Sequence, residues 1–188
     1  MSRMPLMFIS PVGLAELKTS EDFRQYAYPD PYSKLARAYP KARWGYQPAR
    51  QVLAGLPASA ANLSGKPWTV GYGEATNITM FDERTQDEAL EELRSRSVKY
   101  GIKVLANLTV APTQLQFDAL LCLCWNVEAA LAANSSVVKA HNRRDWKAAA
   151  EAFLLYSKVR VDGRLTVSNG LLARRKREAG LYLEGCNL

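Results

Sequence analysis

The sequence predicts an α+β fold that is mostly helical, with a small β-containing N-terminal lobe, a long connecting helix and an all-α C-terminal lobe. The β part is predicted at 67–73, PWTVGYG, where apolar residues alternate with smaller ones before a glycine turn. The connecting helix is predicted by the capping-box pattern of Thr85 and Glu88. The all-α lobe is predicted by helical periodicity that recurs from Pro112 onward.

Length and composition describe an ordinary globular chain with an excess of positive charge. It has 188 residues, of which 48% are hydrophobic and 23% charged, so disorder is not expected. Lys and Arg number 25 against 18 Asp and Glu, which gives a formal net charge of +7. A cationic protein favours polyanions such as nucleic acid, an anionic membrane or an anionic cell wall. Charge alone does not choose among them.

The cysteine pattern and the hydropathy indicate the cellular compartment in which the chain folds. The three cysteines lack the even number and the regular spacing that are typical of a disulfide framework. They are Cys122, Cys124 and Cys186. We expect them to be small buried apolar residues in a chain that folds in a reducing cytoplasm. No apolar run is long enough to predict a membrane span. The N-terminal segment, interrupted by Pro5 and Pro11, lacks the pattern of a signal peptide.

The chain is predicted to be a single domain whose N-terminal lobe covers residues 12–84. Residues 12–26 are predicted as a short helix. The sequence YPDP at 28–31 ends this helix, because each proline disfavours the α region in the residue before it. Residues 32–66 are predicted as an irregular basic insertion, with a short helix near Pro48–Leu56.

The remaining chain is predicted as the connecting helix at 85–106 and a helical C-terminal lobe at 107–188. One predicted helix is apolar nearly all round, as expected for a central buried helix. Its strongest periodic positions are Phe117, Leu120, Leu121 and Cys124. An amphipathic helix is predicted from Trp146 through Leu154, and a turn at Asn169-Gly170 precedes a final helix.

Three residues stand out as candidates for chemistry: Glu21 on the first predicted helix, Asp30 nine residues later in a turn, and Thr69 in the predicted strand. Two carboxyl groups that flank a cleft can divide the work of glycoside cleavage. One donates a proton to the leaving oxygen, and the other activates a water molecule. A hydroxyl such as that of Thr69 could hold this water. Taken singly, each residue type is common in a surface helix, a turn or a strand.

The order of these motifs resembles the phage-type lysozymes, glycoside hydrolase family 24. The segment EDFRQYAYPDP at 21–31 and the segment KPWTVGYG at 66–73 are similar to that family's Glu-Gly-x-Arg-x-x-x-Tyr-x-Asp and Trp-Thr-Ile-Gly-Tyr-Gly-His motifs. Three downstream blocks follow in the family's order. They are TQDEA at 85–89, QFDALLCLCWNV at 116–127 and GLLARRKRE at 170–178.

The resemblance implies a lysozyme-like fold of two lobes, with the active cleft between them, and it implies roles for six residues. Glu21 matches the family's catalytic acid, Asp30 its second carboxylate and Thr69 its water-positioning hydroxyl. Arg174 matches an arginine that pairs with the catalytic glutamate, and Trp125 and Ser136 match positions that line the saccharide cleft. The family cleaves the β-1,4 bond between N-acetylmuramic acid and N-acetylglucosamine, and the resemblance implies no cofactor and no metal.

The chain departs from the family pattern at several positions. Asp22 replaces the glycine after the acid, and Glu74 and Glu128 replace a histidine and a glycine. The insertion at 32–66 stands where the family usually has only a handful of residues. If it displaces Asp30, Glu74 or Asp82 would serve as the second carboxylate. The insertion would either extend the cleft and grip wall polymer or be a surface elaboration packed by its own aromatic residues.

The leading hypothesis is an endolysin that hydrolyses peptidoglycan with inversion and lyses the host cell. Its partner is peptidoglycan, with no nucleic acid and no stable membrane association, and a monomer is expected. It would stay in the host cytoplasm until a separate holin lets it reach the periplasm and cell wall. Alternatives are a lytic transglycosylase acting on the same bond, and a non-catalytic module that binds wall or nucleic acid. His141 is predicted in a surface loop, and the basic run at 174–177 on a solvated helix face with Arg174 turned inward.

Overall fold

The structure is a computed structural model and describes residues 4–161 and 163–186. The α-helices are α1 Pro11–Ser20, α2 Lys34–Ala38, α3 Ala49–Ala54, α4 Gln86–Ala106, α5 Gln114–Asn126, α6 Ser136–Asn142, α7 Trp146–Phe153 and α8 Asn169–Glu184. The strands are β1 Arg24–Pro29, β2 Trp68–Gly71, β3 Lys158–Val161 and β4 Arg164–Val167. Short 3₁₀ helices cover Ala58–Asn62, Glu128–Leu131 and Leu154–Tyr156. The predicted class, mostly helical α+β, is confirmed.

The chain divides into two compact units. The N-terminal unit is Glu21–Leu93, and the C-terminal unit contains the described residues up to Ser20 together with those from Arg94 onward. Helix α1 therefore groups with the C-terminal unit, whereas the sequence analysis placed it in the N-terminal lobe. The reason is its packing on α5: Gly13 of α1 approaches Asp118 so closely that a Cβ there would lie 2.6 Å from the Asp118 Cγ.

The N-terminal unit is built on an antiparallel pair of strands. Strand β1 pairs with β2 in a register that places Tyr28 opposite Thr69 and Pro29 opposite Trp68. Because side chains alternate along a strand, these two pairs lie on opposite faces of the sheet. Pro29 and Trp68 are buried, whereas Tyr28 and Thr69 are half-buried. The sheet therefore has one face in the core and one face partly open.

The insertion at 32–66 forms most of the core under the buried face. It contributes α2, α3 and the 3₁₀ helix Ala58–Asn62, and α3 confirms the short helix predicted near Pro48–Leu56. The indole of Trp44 packs edge-on against Trp68 of β2, with ring centroids 6.4 Å apart. The buried cluster consists of Ala27, Leu35, Ala49, Ala60 and Trp68, with Tyr39, Trp44, Leu53, Leu56 and Leu63 packed against it. The insertion is thus an integral part of this unit.

A tight turn closes the end of β2. The backbone groups of Val70 and Glu74 exchange two hydrogen bonds, of 2.8 and 2.9 Å. Gly71 and Gly73 inside this turn have φ angles of 64° and 76°, in the left-handed region that side chains disfavour. A Cβ on Gly71 would also lie 3.0 Å from the Cβ of Ala89 in α4. The two glycines are therefore required by the backbone and, at Gly71, by packing.

The C-terminal unit is organised around α5, as predicted. The helix begins at a complete capping box formed by Thr113 and Gln116 and is buried along most of its length. The side chain of Asp145 caps α7, and that of Ser168 caps α8 one residue before the predicted Asn169 turn. All three cysteines are free and buried, which confirms their predicted role. In the ranges that the structure describes, no helix has both the length and the apolar character of a membrane span.

Two secondary-structure predictions are wrong. The helix predicted at 12–26 ends at Ser20, because residues 24–29 instead form β1 and pair with β2, a strand on the far side of the insertion. The C-terminal unit is not all-α, because Lys158–Val161 and Arg164–Val167 form an antiparallel hairpin. Each β4 side chain is exposed, so this hairpin projects from the unit rather than joining its core.

His141 is buried in the C-terminal unit, which corrects its predicted place in a surface loop. Its Nδ1 lies 2.7 Å from the Tyr182 hydroxyl and its Nε2 lies 3.0 Å from the Val110 carbonyl oxygen. A carbonyl only accepts hydrogen bonds, so Nε2 carries the proton and Nδ1 accepts from the tyrosine. Burial lowers the pKa of His141, because the imidazolium form would lose its hydration.

We expect substitution of Gly71 by alanine to destabilise the protein through both strain and crowding. A left-handed alanine costs about 1–2 kcal/mol, and its Cβ would in addition meet Ala89. Gly163→Ala is the matched control, because Gly163 has a φ of 79° but no atom within 4 Å of its Cβ position. Chemical denaturation should show the larger loss for Gly71→Ala. Equal losses would mean that the Ala89 contact contributes nothing.

We expect the buried His141 to make stability depend on pH. The folded pKa is depressed, so the unfolded chain binds the proton first and stability is lost as pH falls through about 6.5, the unfolded value. The slope is at most about 1.4 kcal/mol per pH unit for one group. Urea denaturation between pH 5 and 7.5 should show a shallower slope for His141→Gln than for the wild type. Identical slopes would contradict this expectation.

Candidate active site

Glu21 lies at a bend directly after α1 and not within a helix as predicted. Its side chain is half-buried and turns toward the β2 turn. A Cβ built on Gly73 would lie 3.5 Å from the Glu21 Oε2 atom. This is an ordinary van der Waals distance, so the Glu21 carboxyl group lies beside the turn, and glycine at position 73 is required by its φ of 76° and not by crowding.

Asp30 stays at the end of the sheet despite the insertion that follows it. Its backbone N–H donates to the Pro67 carbonyl at 2.9 Å, so the chain leaves the sheet at Asp30 and returns beside it. The Asp30 Oδ1 accepts a 2.7 Å hydrogen bond from the Tyr32 N–H, and this Asx turn starts the insertion. The two ends of the 32–66 segment thus lie side by side, and Asp30 stays next to the start of β2.

Thr69 lies on the partly open face of the sheet, opposite Tyr28. Opposite residues of an antiparallel pair have their Cβ atoms about 4.5–5.5 Å apart on the same face. The Thr69 hydroxyl is therefore presented beside the Tyr28 side chain, whereas its neighbours Trp68 and Val70 face the core.

Tyr28 is a further residue of the candidate site that was not predicted from the sequence. Burial raises the pKa of its hydroxyl, Arg24 opposes the rise, and the carboxylates of Glu21, Asp22 and Asp30 add to it. The neutral Tyr28 hydroxyl thus lies within electrostatic range of both predicted catalytic carboxyl groups. The alternation of Tyr26 and Tyr28 with smaller residues is the sequence signal that could have indicated an open strand face at this position.

Arg24 connects the carboxylate next to Glu21 with the insertion. Its Nη2 forms a 2.6 Å ion pair with Asp22. Its guanidinium carbon also lies 4.1 Å from the ring centroid of Tyr46, a cation–π contact. The Gly45 carbonyl accepts a hydrogen bond from the Tyr26 N–H at 3.2 Å. The insertion therefore fixes β1 and the charge environment beside Glu21.

The two alternative carboxylates have structural partners in their own loops. Glu74 Oε1 accepts a 2.5 Å hydrogen bond from the Thr76 N–H. Asp82 Oδ2 accepts from the Thr79 hydroxyl at 2.6 Å and from its N–H at 2.8 Å. These bonds, from the hydroxyl first and the backbone second, lower the pKa of Asp82. Both carboxylates thus have a clear role in shaping the loop after β2.

Two of the predicted saccharide-binding residues lie at the surface of the C-terminal unit. Trp125 is half-buried at the end of α5, with its ring centroid 4.7 Å from that of Tyr100. The guanidinium carbon of Arg96 lies 4.5 Å from the Trp125 ring centroid. Ser136 is exposed at the first position of α6, whose N-cap is Ser135. Trp125 is therefore held in place by its own neighbours, and the Ser136 side chain is accessible.

Arg174 is turned inward, as predicted, and belongs to a buried charge cluster on α8. Its Nε donates to Glu178 Oε1 at 3.0 Å, and Arg175 Nη2 donates to the same oxygen at 2.9 Å. Arg174 Nη2 also donates to the Cys122 carbonyl at 3.4 Å. Arg175 and Glu178 are both fully buried, so the prediction that the run at 174–177 lies on a solvated helix face is wrong for Arg175. Burial raises the pKa of Glu178 to about 7, and the two arginines oppose the rise.

Comparison with known proteins identifies the family. Residues 51–178 match the family model described as phage lysozyme. The chain belongs to the phage lysozyme family. Membership in this family makes it a glycoside hydrolase, a lysozyme that cleaves peptidoglycan.

Individual relatives agree with this assignment. An endolysin of Acyrthosiphon pisum secondary endosymbiont phage 1 is 31% identical over 128 residues, which are 68% of this chain and 88% of that protein. The endolysin of Salmonella phage P22 is 29% identical over 178 residues, 95% of this chain and 99% of that protein. The solved structure of an endolysin from Escherichia coli O157:H7 phage FAHEc1 has a TM-score of 0.70 at 27% identity and covers 97% of this chain and 96% of that one.

Some of the predicted site residues lie inside the segment that matches the family model, and others lie before it. Thr69, Trp125 and Arg174 lie inside the segment that matches the phage lysozyme model, as does Ser136. Glu21 lies before that segment, as does Asp30 on the near side of the insertion. The similarity to the phage P22 endolysin extends over 178 of the 188 residues and so includes both carboxyl residues.

Proposed function

We propose that this lysozyme hydrolyses the β-1,4 bond between N-acetylmuramic acid and N-acetylglucosamine with inversion at the anomeric carbon. The observation that carries the proposal is the pairing of β1 with β2. It holds Asp30 at the strand end, places Thr69 opposite Tyr28, and leaves Tyr28 within electrostatic range of Glu21 and Asp30. An acid, a base and a hydroxyl that holds water are the groups that inverting hydrolysis uses.

The proposed reaction assigns one role to each group. The Glu21 carboxylic acid donates its proton to the glycosidic oxygen as the bond to the anomeric carbon breaks. Asp30 accepts a proton from a water molecule, whose oxygen forms the new bond to that carbon from the opposite face. The Thr69 hydroxyl orients this water. Glu21 ends ionised and Asp30 protonated, and proton exchange with solvent restores the starting state.

Tyr28 is proposed as a positioning residue for these groups. A tyrosine hydroxyl is neutral at neutral pH, and burial and the nearby carboxylates raise the pKa of Tyr28 above its usual value. A neutral hydroxyl can donate a hydrogen bond to a carboxylate without competing for the catalytic proton. Its place opposite Thr69 supports a role in fixing the face on which water and carboxylates meet.

The biological setting follows from the same proposal. The relatives named endolysins support an enzyme that acts on the cell wall at host lysis. We propose that it reaches the wall from the host cytoplasm with the help of a separate holin. Trp125, Ser136 and Arg174 are proposed to contact the glycan or orient the groups that do. The enzyme is proposed to act as a monomer on peptidoglycan, without nucleic acid and without stable membrane association.

We expect Glu21→Gln to abolish lysis while the protein stays folded. Glutamine keeps the shape of the side chain but cannot donate a catalytic proton, and general acid catalysis contributes about 10²–10⁴-fold. Turbidity loss of outer-membrane-permeabilised cells measures activity, and circular dichroism measures folding. Asp22→Asn is the matched control, because it removes a neighbouring carboxylate that is exposed. Lysis by Glu21→Gln at the wild-type rate would remove Glu21 from the mechanism.

We expect Tyr28→Phe to lower kcat by about 10- to 100-fold, the effect of losing a hydrogen bond to a charged group. KM should change little, because the ring that packs on the sheet is retained. Tyr39→Phe, within the insertion core of the same unit, is the control. The pH profile of kcat should change shape in Tyr28→Phe, a change that a purely structural role would not cause. Wild-type kcat and an unchanged profile would count against the positioning role.

We expect the first product to be a reducing sugar with inverted anomeric configuration. Proton NMR of the reaction at early times distinguishes inversion from retention, and mass spectrometry of the muropeptides detects the added water. A retained configuration would refute the assignment of Asp30 as base. Anhydro-muramic ends would identify a lytic transglycosylase instead.

A further inference from the structure

A pocket of about 180 Å³ lies in the N-terminal unit where the insertion meets β1. The insertion supplies Pro48 and Arg50, β1 supplies Tyr26, and the loop 80–83 supplies the remaining wall. The lining includes Asp82, the alternative second carboxylate of the sequence analysis, but none of Glu21, Asp30 and Thr69. Pro48 and Arg50 belong to the segment that distinguishes this chain from the usual family pattern, so the insertion creates the pocket.

The walls of this pocket are held by backbone pairing. Tyr26 and Glu83 form an antiparallel bridge, and the Ala27 N–H donates to the Asp82 carbonyl at 2.9 Å. The Asp82 carboxylate is fixed by two hydrogen bonds from Thr79. A pocket whose polar groups are already fixed loses little conformational freedom when a ligand binds.

The chemistry of the walls fits a sugar. The Phe81 ring is 74% exposed at the rim, and Pro48 and Met80 add apolar surface. The Arg50 guanidinium donates hydrogen bonds, and the Asp82 carboxylate, whose pKa is lowered, accepts them. A pyranose offers both an apolar ring face and hydroxyl groups that donate and accept. A polyphosphate would meet the repulsion of Asp82 and Glu83, and a lipid chain would remove water from these charged groups at a cost in free energy.

We propose that this pocket binds an N-acetylated amino sugar of the glycan strand, away from the bond that is cleaved. The inference rests on the proposed function, because it assigns a further saccharide subsite to the same polymer. The Phe81 ring stacks on the sugar face, and Arg50 and Asp82 hydrogen-bond to its hydroxyl and acetamido groups. The insertion then serves both as the core under the sheet and as a grip on the substrate.

Binding is tested in full-length Glu21→Gln protein, which separates binding from turnover. The probes are N-acetylglucosamine tetramer, peptide-free glycan strands and free stem peptides, each titrated by calorimetry. Phe81→Ala and Arg50→Ala should each weaken glycan-strand binding roughly five- to tenfold, the loss expected for one stacking or charged contact. Tyr32→Ala and Arg37→Ala are matched controls in the insertion, because both side chains are exposed and outside the pocket.

The Met80 methyl group provides a local reporter. Of the four methionines in the chain, Met80 lines the pocket, so a methyl-labelled sample gives a signal that Met80→Leu assigns. The tetramer should shift this signal in Glu21→Gln protein, and Phe81→Ala should abolish the shift. An unmoved Met80 signal, or pocket variants that bind as tightly as the controls, would overturn the proposal. A shift with stem peptide but not with glycan would assign the pocket to peptide and reject the sugar.

The two proposals fail in distinguishable ways. If the product retains its anomeric configuration while glycan binding still depends on Phe81 and Arg50, the proposed function is wrong and the pocket assignment stands. If wild-type protein hydrolyses peptidoglycan and the pocket variants match the controls in affinity and KM, the catalytic proposal stands and the pocket assignment is wrong.

Discussion

The antiparallel pairing of β1 with β2 is the interaction on which the candidate site depends. It joins Arg24–Pro29 to Trp68–Gly71 across the whole insertion and fixes which side chains share a face. A one-residue shift of β2 would turn Thr69 into the core and bring Trp68 to the surface. The hydrogen bond from Asp30 to Pro67 locks the register at the point where the chain leaves the sheet. The catalytic arrangement is thus a consequence of strand register more than of any single side-chain contact.

The insertion stabilises this register by packing against the buried face of the sheet. The entropic cost of closing a loop rises only slowly with the length of the loop. The insertion offsets this cost by packing its own apolar side chains around Trp68. The insertion also contacts β1 at Arg24, because Tyr46 stacks on this arginine, which pairs with Asp22. The insertion therefore contributes to the stability of the unit, to the electrostatic environment beside Glu21 and to the pocket at Arg50.

Sequence patterns predicted the elements that are determined locally. The capping box before α4, the apolar α5 and the glycine turn after β2 each follow from residues close together in the chain. Glu21 was assigned to a helix because its neighbours resemble one, whereas β1 forms only through a partner distant in sequence. The β3–β4 hairpin was missed although the DG pair at 162–163, between alternating apolar residues, is a strong hairpin signal. The burial of His141 and Glu178 depends on tertiary neighbours that no local pattern indicates.

A crystal structure of Glu21→Gln protein with a bound glycan oligomer gives the decisive distance, which is that between the amide replacing the Glu21 carboxyl group and the Asp30 carboxyl group. Inverting hydrolysis by these two residues requires about 6.5–9.5 Å, with a water molecule held near Thr69 on the face opposite the leaving oxygen. A separation of about 5–5.5 Å would instead indicate a retaining mechanism. An Asp30 side chain directed away from the sugar would contradict the proposal that strand register assembles the site.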